Sequence, residues 1–117
     1  SLIKSSDFEP TPGLIIMPNV TISYNVNLGK SVFINYNCML GHDIKIGDYT
    51  FIGPSVTINA RCTIGRLSII GTGATLIPGI SVGDFSLVGA GTTVFSKVKA
   101  STSVTDLPRK ITRQMRS

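Results

Sequence analysis

Residues 34–65 read INYNCMLGHDIKIGDYTFIGPSVTINARCTIG, and within them Ile34, Leu40, Ile46, Ile52, Ile58 and Ile64 fall six residues apart. The series extends outward on both sides. It begins at Ile16, Ile22 and Leu28 and runs on through Ile70, Leu76, Val82 and Val88 to Val94, so that fourteen successive positions hold Ile, Leu or Val. With Ile, Leu and Val making up 32 of the 117 residues, chance gives such a run far less often than about one time in a million. A strict period of six fits neither the 3.6 of a helix nor a hairpin array, whose turns break phase. It is the mark of a parallel β-helix, in which each short repeat forms one wall of a coil. Three walls close a triangular turn of eighteen residues, and residues that far apart are expected to stack at about 4.8 Å.

The positions two before each aliphatic residue are small or β-branched, from Val20 through Cys38, Thr50, Cys62, Ser68 and Ser86 to Val98. Both slots therefore read as inward-facing on strands of period two. The position after the aliphatic residue is glycine at Gly29, Gly41, Gly47, Gly53, Gly65, Gly71, Gly83 and Gly89, with Asn35 and Asn59 at two more. These are expected to ease a sharp change of direction after each strand.

The 117 residues suit one domain. A lead-in segment at residues 1–13 carries Pro10, Pro12 and Gly13, the repeat array spans residues 14–98, and a basic tail occupies residues 99–117. In the tail, Asp106 is placed to cap a short helix with Leu107, Ile111 and Met115 on one face, packed against the end of the coil. Mean hydropathy is +0.31 and only 15% of residues are charged, so outward faces are expected to be covered by copies of the chain. The longest apolar stretch, Leu14 to Met17, is far too short to insert in a bilayer, and no charged start leads into a signal-like run. The first residue is Ser1, which fits a fragment of a longer protein.

Cys38 and Cys62 share one slot of the repeat and read as small buried thiols in a reducing, cytoplasmic compartment. Net charge is +5, and six of the eleven basic residues lie in the last twenty-one positions. No aromatic residues interleave with them, which argues against nucleic acid as a partner.

Stacking at eighteen gives three corners of different chemistry. One carries Tyr24, His42, Ala60, Pro78 and Ser96, with Asn25, Asp43, Arg61, Gly79 and Lys97 beside them. Another stacks Tyr49, Leu67 and Phe85, an apolar column that reads as a subunit contact or a dock for a further domain. The third, Pro54-Ser55, Thr72-Gly73 and Ala90-Gly91, is shaved bare and leaves room for an elongated ligand along the backbone.

Ile34-Asn35, Gly41-His42-Asp43, Ile46-Gly47-Asp48, Ile64-Gly65 and Val88-Gly89-Ala90-Gly91 together resemble the hexapeptide-repeat acyltransferases, more narrowly the sugar acetyltransferases of the sialic-acid and bacillosamine type. That resemblance implies an all-β, left-handed parallel β-helix, a homotrimer, and acetyl-CoA as co-substrate with a sugar or sugar-nucleotide acceptor. It also implies that a small nucleotide-sugar-binding domain precedes the coil in longer relatives. His42, the only histidine, would be the general base taking the acceptor's proton, because neutral imidazole can do so near pH 7. Asp43 would orient the ring, with an ion pair to Arg61 as its plain structural role. Ala60, one coil from His42, offers a backbone N–H for the thioester oxyanion. Thr72 and Ala90 line the expected pantetheine groove, between two subunits. Asn35 matches an acceptor-side polar position, and Phe51 stands where some relatives have a second histidine.

Two other classes compete. A metal hydratase on the same coil needs three histidine ligands around an open zinc position, and one histidine per chain leaves the expectation of no metal. A non-catalytic scaffold or trimerisation coil, with His42 idle, is the stronger alternative. Ice binding would need regular outward threonine ladders, and the outward positions here are mixed.

Overall fold

The computed structural model describes residues 10–106; the expected helix beyond Asp106 lies outside the described residues. Strands of two or three residues recur every six residues from Ile15–Ile16 to Thr93–Val94, and all pair in parallel. They stack into three walls. The first holds Ile15–Ile16, Phe33–Ile34, Phe51–Ile52, Ile69–Ile70, Leu87–Val88 and Ser103–Val104, six strands that mark five turns of the coil. The second holds Thr21–Ile22, Met39–Leu40, Thr57–Ile58, Thr75–Leu76 and Thr93–Val94. Val26–Leu28, Ile44–Ile46, Thr63–Ile64 and Ser81–Val82 form the third. The chain is thus an all-β parallel solenoid with an eighteen-residue turn, seen in register pairs such as Phe33 with Phe51 and Leu40 with Ile58.

Both inward slots are buried as the pattern predicts. Ile34, Ile52 and Ile70 on successive turns of the first wall are fully buried, as is Ile58 on the second, each burial worth about 2–3 kcal/mol. The slot two before them adds a polar ladder on one side of the core. Thr50 Oγ1 donates to the Gly65 carbonyl at 2.7 Å and accepts the Ser68 N–H at 3.3 Å. Ser68 Oγ repeats this with the Gly83 carbonyl at 3.1 Å and the Ser86 N–H at 3.2 Å. Each hydroxyl satisfies a main-chain group on the following turn, which is why polar residues are tolerated there. Cys38 and Cys62 are buried free thiols; burial pushes both up from the ordinary thiol range.

The change of direction falls elsewhere than expected. Left-handed backbone recurs every six residues from Gly13 to Gly91, at the third position after the aliphatic residue, through Asn19, Asn25, Asp43, Tyr49 and Leu67 among others. The glycines immediately after the aliphatic residues are not in that region. They are glycine because the next coil presses on them. A Cβ at Gly47 would lie 2.5 Å from the Arg66 nitrogen, and one at Gly71 would lie 2.7 Å from the Ala90 nitrogen. Close approach between coils, rather than turning, selects glycine at these sites.

The coil also continues past residue 98, the expected end of the array. Val98 bridges Val82, and Leu87–Val88 pairs with Ser103–Val104, each sixteen residues on rather than eighteen. In unbroken register Ala100 would fall beside Val82. Dropping two residues at the corner after Val94 moves Val98, 3% exposed, from the slot two before the aliphatic position into the aliphatic slot itself and leaves Ala100 outside. The wider apolar side chain fills the core cross-section that alanine would leave partly empty.

Candidate functional site

The site is built at the corner joining the second wall to the third. Leu40 ends one strand and Ile44 begins the next, so Gly41, His42 and Asp43 carry the turn. Asp43 takes the left-handed conformation, at φ 58°. Its N–H donates to the Tyr24 carbonyl at 3.1 Å on the preceding coil, and the His42 carbonyl accepts the Arg61 N–H at 2.9 Å on the following one. The dipeptide is therefore pinned from both sides before its side chains are considered.

His42 Nδ1 lies 2.7 Å from Asp43 Oδ2, with both side chains partly exposed. The other carboxylate oxygen, Asp43 Oδ1, accepts from the Asn25 side-chain amide. The hydrogen bond from His42, then that from Asn25, holds the Asp43 carboxyl below the usual carboxylate range, with the positive charge of Arg61 adding to the effect. An ionised carboxylate only accepts, so Nδ1 must donate and the lone pair of the neutral ring sits on Nε2. Tyr24 stacks on the imidazole with ring centroids 4.9 Å apart and planes 3° from parallel.

The expected ion pair between Asp43 and Arg61 does not form. Among the described residues His42–Asp43 is the ion-pair contact, and Asn25 takes the second oxygen. The carboxylate leans back to the preceding coil, where an amide stands at the matching corner position.

Ala60 follows His42 by one coil, half-buried, with its nitrogen packed beside Gly41 at 2.9 Å from where a Cβ would stand. Its carbonyl accepts the Gly79 N–H at 2.9 Å, whereas no hydrogen bond among the described residues uses its own N–H. The remaining expected residues lie apart from this corner in a single chain. Asn35, Thr72 and Ala90 sit at the corner between the first and second walls. Asn35 Oδ1 accepts the adjacent Tyr36 N–H at 2.9 Å and so serves the turn. Phe51 is on the outer face of the first wall, against Phe33 at 5.3 Å between ring centroids. That wall is the side of the prism opposite His42.

Tyr24 and Asn25 are the contacts that sequence reasoning left without a role. The eighteen-residue spacing from His42 and Asp43 was the signal that could have assigned them.

The family model described as bacterial transferase hexapeptide (six repeats) matches residues 25–60 and 43–78, a span that contains His42, Asp43 and Ala60. The six-residue repeat seen in the coil is the repeat that this model describes. No curated sequence matches the chain closely enough to count as a relative. Among solved structures it is similar to a variant of perosamine N-acetyltransferase from Caulobacter crescentus in complex with CoA and GDP-perosamine, at 24% identity and a TM-score of 0.67, covering 89% of this chain and 52% of that one. The acetyltransferase domain of PglB from Neisseria gonorrhoeae with acetyl coenzyme A gives 24% identity and 0.66, covering 89% and 54%. A maltose O-acetyltransferase from Clostridium difficile gives 26% identity and 0.76, covering 89% and 66%. The chain thus spans about half the length of the first two, and all three neighbours are acetyltransferases, those of perosamine and maltose acting on sugars. Among the described residues no helix is long and apolar enough to cross a membrane.

Proposed function

We propose that the protein is an acyl-CoA-dependent acyltransferase, using acetyl-CoA to acetylate an amino or hydroxyl group of a sugar or sugar nucleotide. The observation that carries this reading is the 2.7 Å contact between His42 Nδ1 and Asp43 Oδ2 on a corner of the coil, with Nε2 left as the free base. The acceptor's nitrogen or oxygen attacks the thioester carbon and gives its proton to Nε2. Charge gathers on the thioester oxygen beside the Ala60 N–H, then the C–S bond breaks and the proton passes to the leaving thiolate.

One chain separates His42 and Ala60 from Thr72, Ala90, Asn35 and Phe51, so the reading includes a homotrimer. The first wall supports that arrangement, since Ile15, Phe51, Ile69 and Leu87 all expose apolar side chains on it. A neighbour seated on that wall brings its own histidine corner beside Phe51 and the groove of Thr72 and Ala90. The free thiols and the need for acetyl-CoA fit a cytoplasmic protein.

Turnover of acetyl-CoA against a panel of amino- and hydroxy-sugars, with CoA binding measured alongside, tests the proposal. His42→Ala is expected to lower kcat at least about a hundredfold with CoA binding retained. Equal rates in variant and parent would remove His42 as base. Failure of the parent chain to bind CoA would favour the second reading, a trimerising scaffold, for which the exposed apolar wall is the supporting feature.

A further inference from the structure

We propose that Tyr24 and Asn25, one coil ahead of His42 and Asp43, are positioning residues that hold the imidazole in one orientation and one tautomer. As a statement about catalysis this rests on His42 being the base; as a statement about the ring it does not. The two corners share one backbone geometry, with φ 56° at Asn25 and 58° at Asp43. Side chains leaving them run side by side, and the 4.9 Å between the Tyr24 and His42 rings matches the spacing of adjacent strands. The near-parallel stack covers the imidazole face that looks toward the preceding coil. The Asp43 carboxylate is held at both oxygens, by Asn25 and by His42, so it cannot swing away from Nδ1 without breaking the Asn25 bond.

The groups facing the ring are therefore Tyr24 on one face, Asp43 at Nδ1, and Arg61 as the nearby charge on the following coil. His42 remains about one-third exposed, at 34%. A ring that open in water samples several rotamers and both neutral tautomers unless something fixes it. Tyr24 and Asn25 supply the fixing contacts, and neither side chain serves the core, since both are exposed.

The test uses the whole chain, in which His42 is the only histidine and its ring nitrogens give unambiguous signals. Asn25→Gly keeps the left-handed turn while removing the amide. Tyr24→Leu removes the stacked ring, and Tyr24→Phe retains it. At a pH where the ring is neutral, the parent and Tyr24→Phe are expected to show Nδ1–H as the dominant form. In Asn25→Gly and Tyr24→Leu the ratio of Nδ1–H to Nε2–H should fall at least about threefold. kcat should fall roughly tenfold in those two variants, with the acetyl-CoA KM within about twofold of the parent. A ratio unchanged in both, with thermal melts confirming the fold, overturns the proposal even if His42→Ala abolishes turnover. A ratio that falls in the two variants while the parent chain acetylates nothing leaves the clamp standing and sinks the acyltransferase reading instead.

Discussion

Asp48 folds its carboxylate back over Gly29, accepting the Lys30 N–H at 2.9 Å, and Asp84 does the same over Gly65 with the Arg66 N–H at 2.9 Å. The Ile-Gly-Asp segments therefore have a mechanical meaning. The aliphatic residue fills the core, glycine lets the next coil approach, and aspartate ties the corner of the preceding coil. Asp48 thus ties the corner between the third and first walls, one corner on from His42.

Gly29→Ala tests that closeness. A Cβ there would collide with the Asp48 carboxylate and stand 2.7 Å from the Asp48 nitrogen, which cannot rotate away. The expected loss is about 1–3 kcal/mol by denaturant unfolding. Because the backbone contact remains in Asp48→Ala, most of the Gly29→Ala penalty should persist in that background. Gly73→Ala is the contrast. Nothing lies within 4 Å of its added Cβ, so only the left-handed φ of 70° penalises it, by about 1 kcal/mol.

Ser68→Ala removes a hydroxyl that donates to the Gly83 carbonyl and accepts the Ser86 N–H inside the core. Two main-chain groups lose a partner with no water at hand, and the expected destabilisation is about 1–3 kcal/mol. Ser68→Cys, which keeps a weak donor in a slot where Cys38 and Cys62 occur on other walls, should lose less.

Asp43 makes stability depend on pH in a predictable direction. Its folded carboxyl titrates below the unfolded one because His42 and Asn25 hydrogen-bond the charged form. The stabilisation is complete above the unfolded carboxylate pKa and is lost as pH falls through the lowered folded value. Melting curves of the parent and Asp43→Asn should converge across that acid window and be farthest apart above it. Parallel curves at all pH values would contradict the assignment.

Ile69 stands 48% exposed in the middle of the first wall, between Phe51 and Leu87. Ile69→Lys places a charge in the proposed subunit contact without touching the core. Sedimentation should show a trimer for the parent and a monomer for the variant, with acetyl transfer lost together with assembly. A monomeric parent would remove the intersubunit site.

The walls, the eighteen-residue turn and the core were legible in the order of residues alone, because a coil that repeats every six positions leaves each side chain one place to point. His42, Asp43 and Ala60 fell at one corner for the same reason. Contacts between coils were not legible, since they depend on which way a side chain leans along the axis. Asp43 leaned back to Asn25 rather than forward to Arg61, and Tyr24 came to lie flat on the imidazole. The glycines after each strand were misread as turning points for a related cause: the pressure on them comes from a backbone nineteen residues away, as with Gly47 and Arg66. The two-residue slip that sets Val98 beside Val82 was hidden too, because periodicity cannot weigh a shorter corner against a better-filled core. Local pattern decided where each residue stands on the prism; packing between successive turns decided what it touches there.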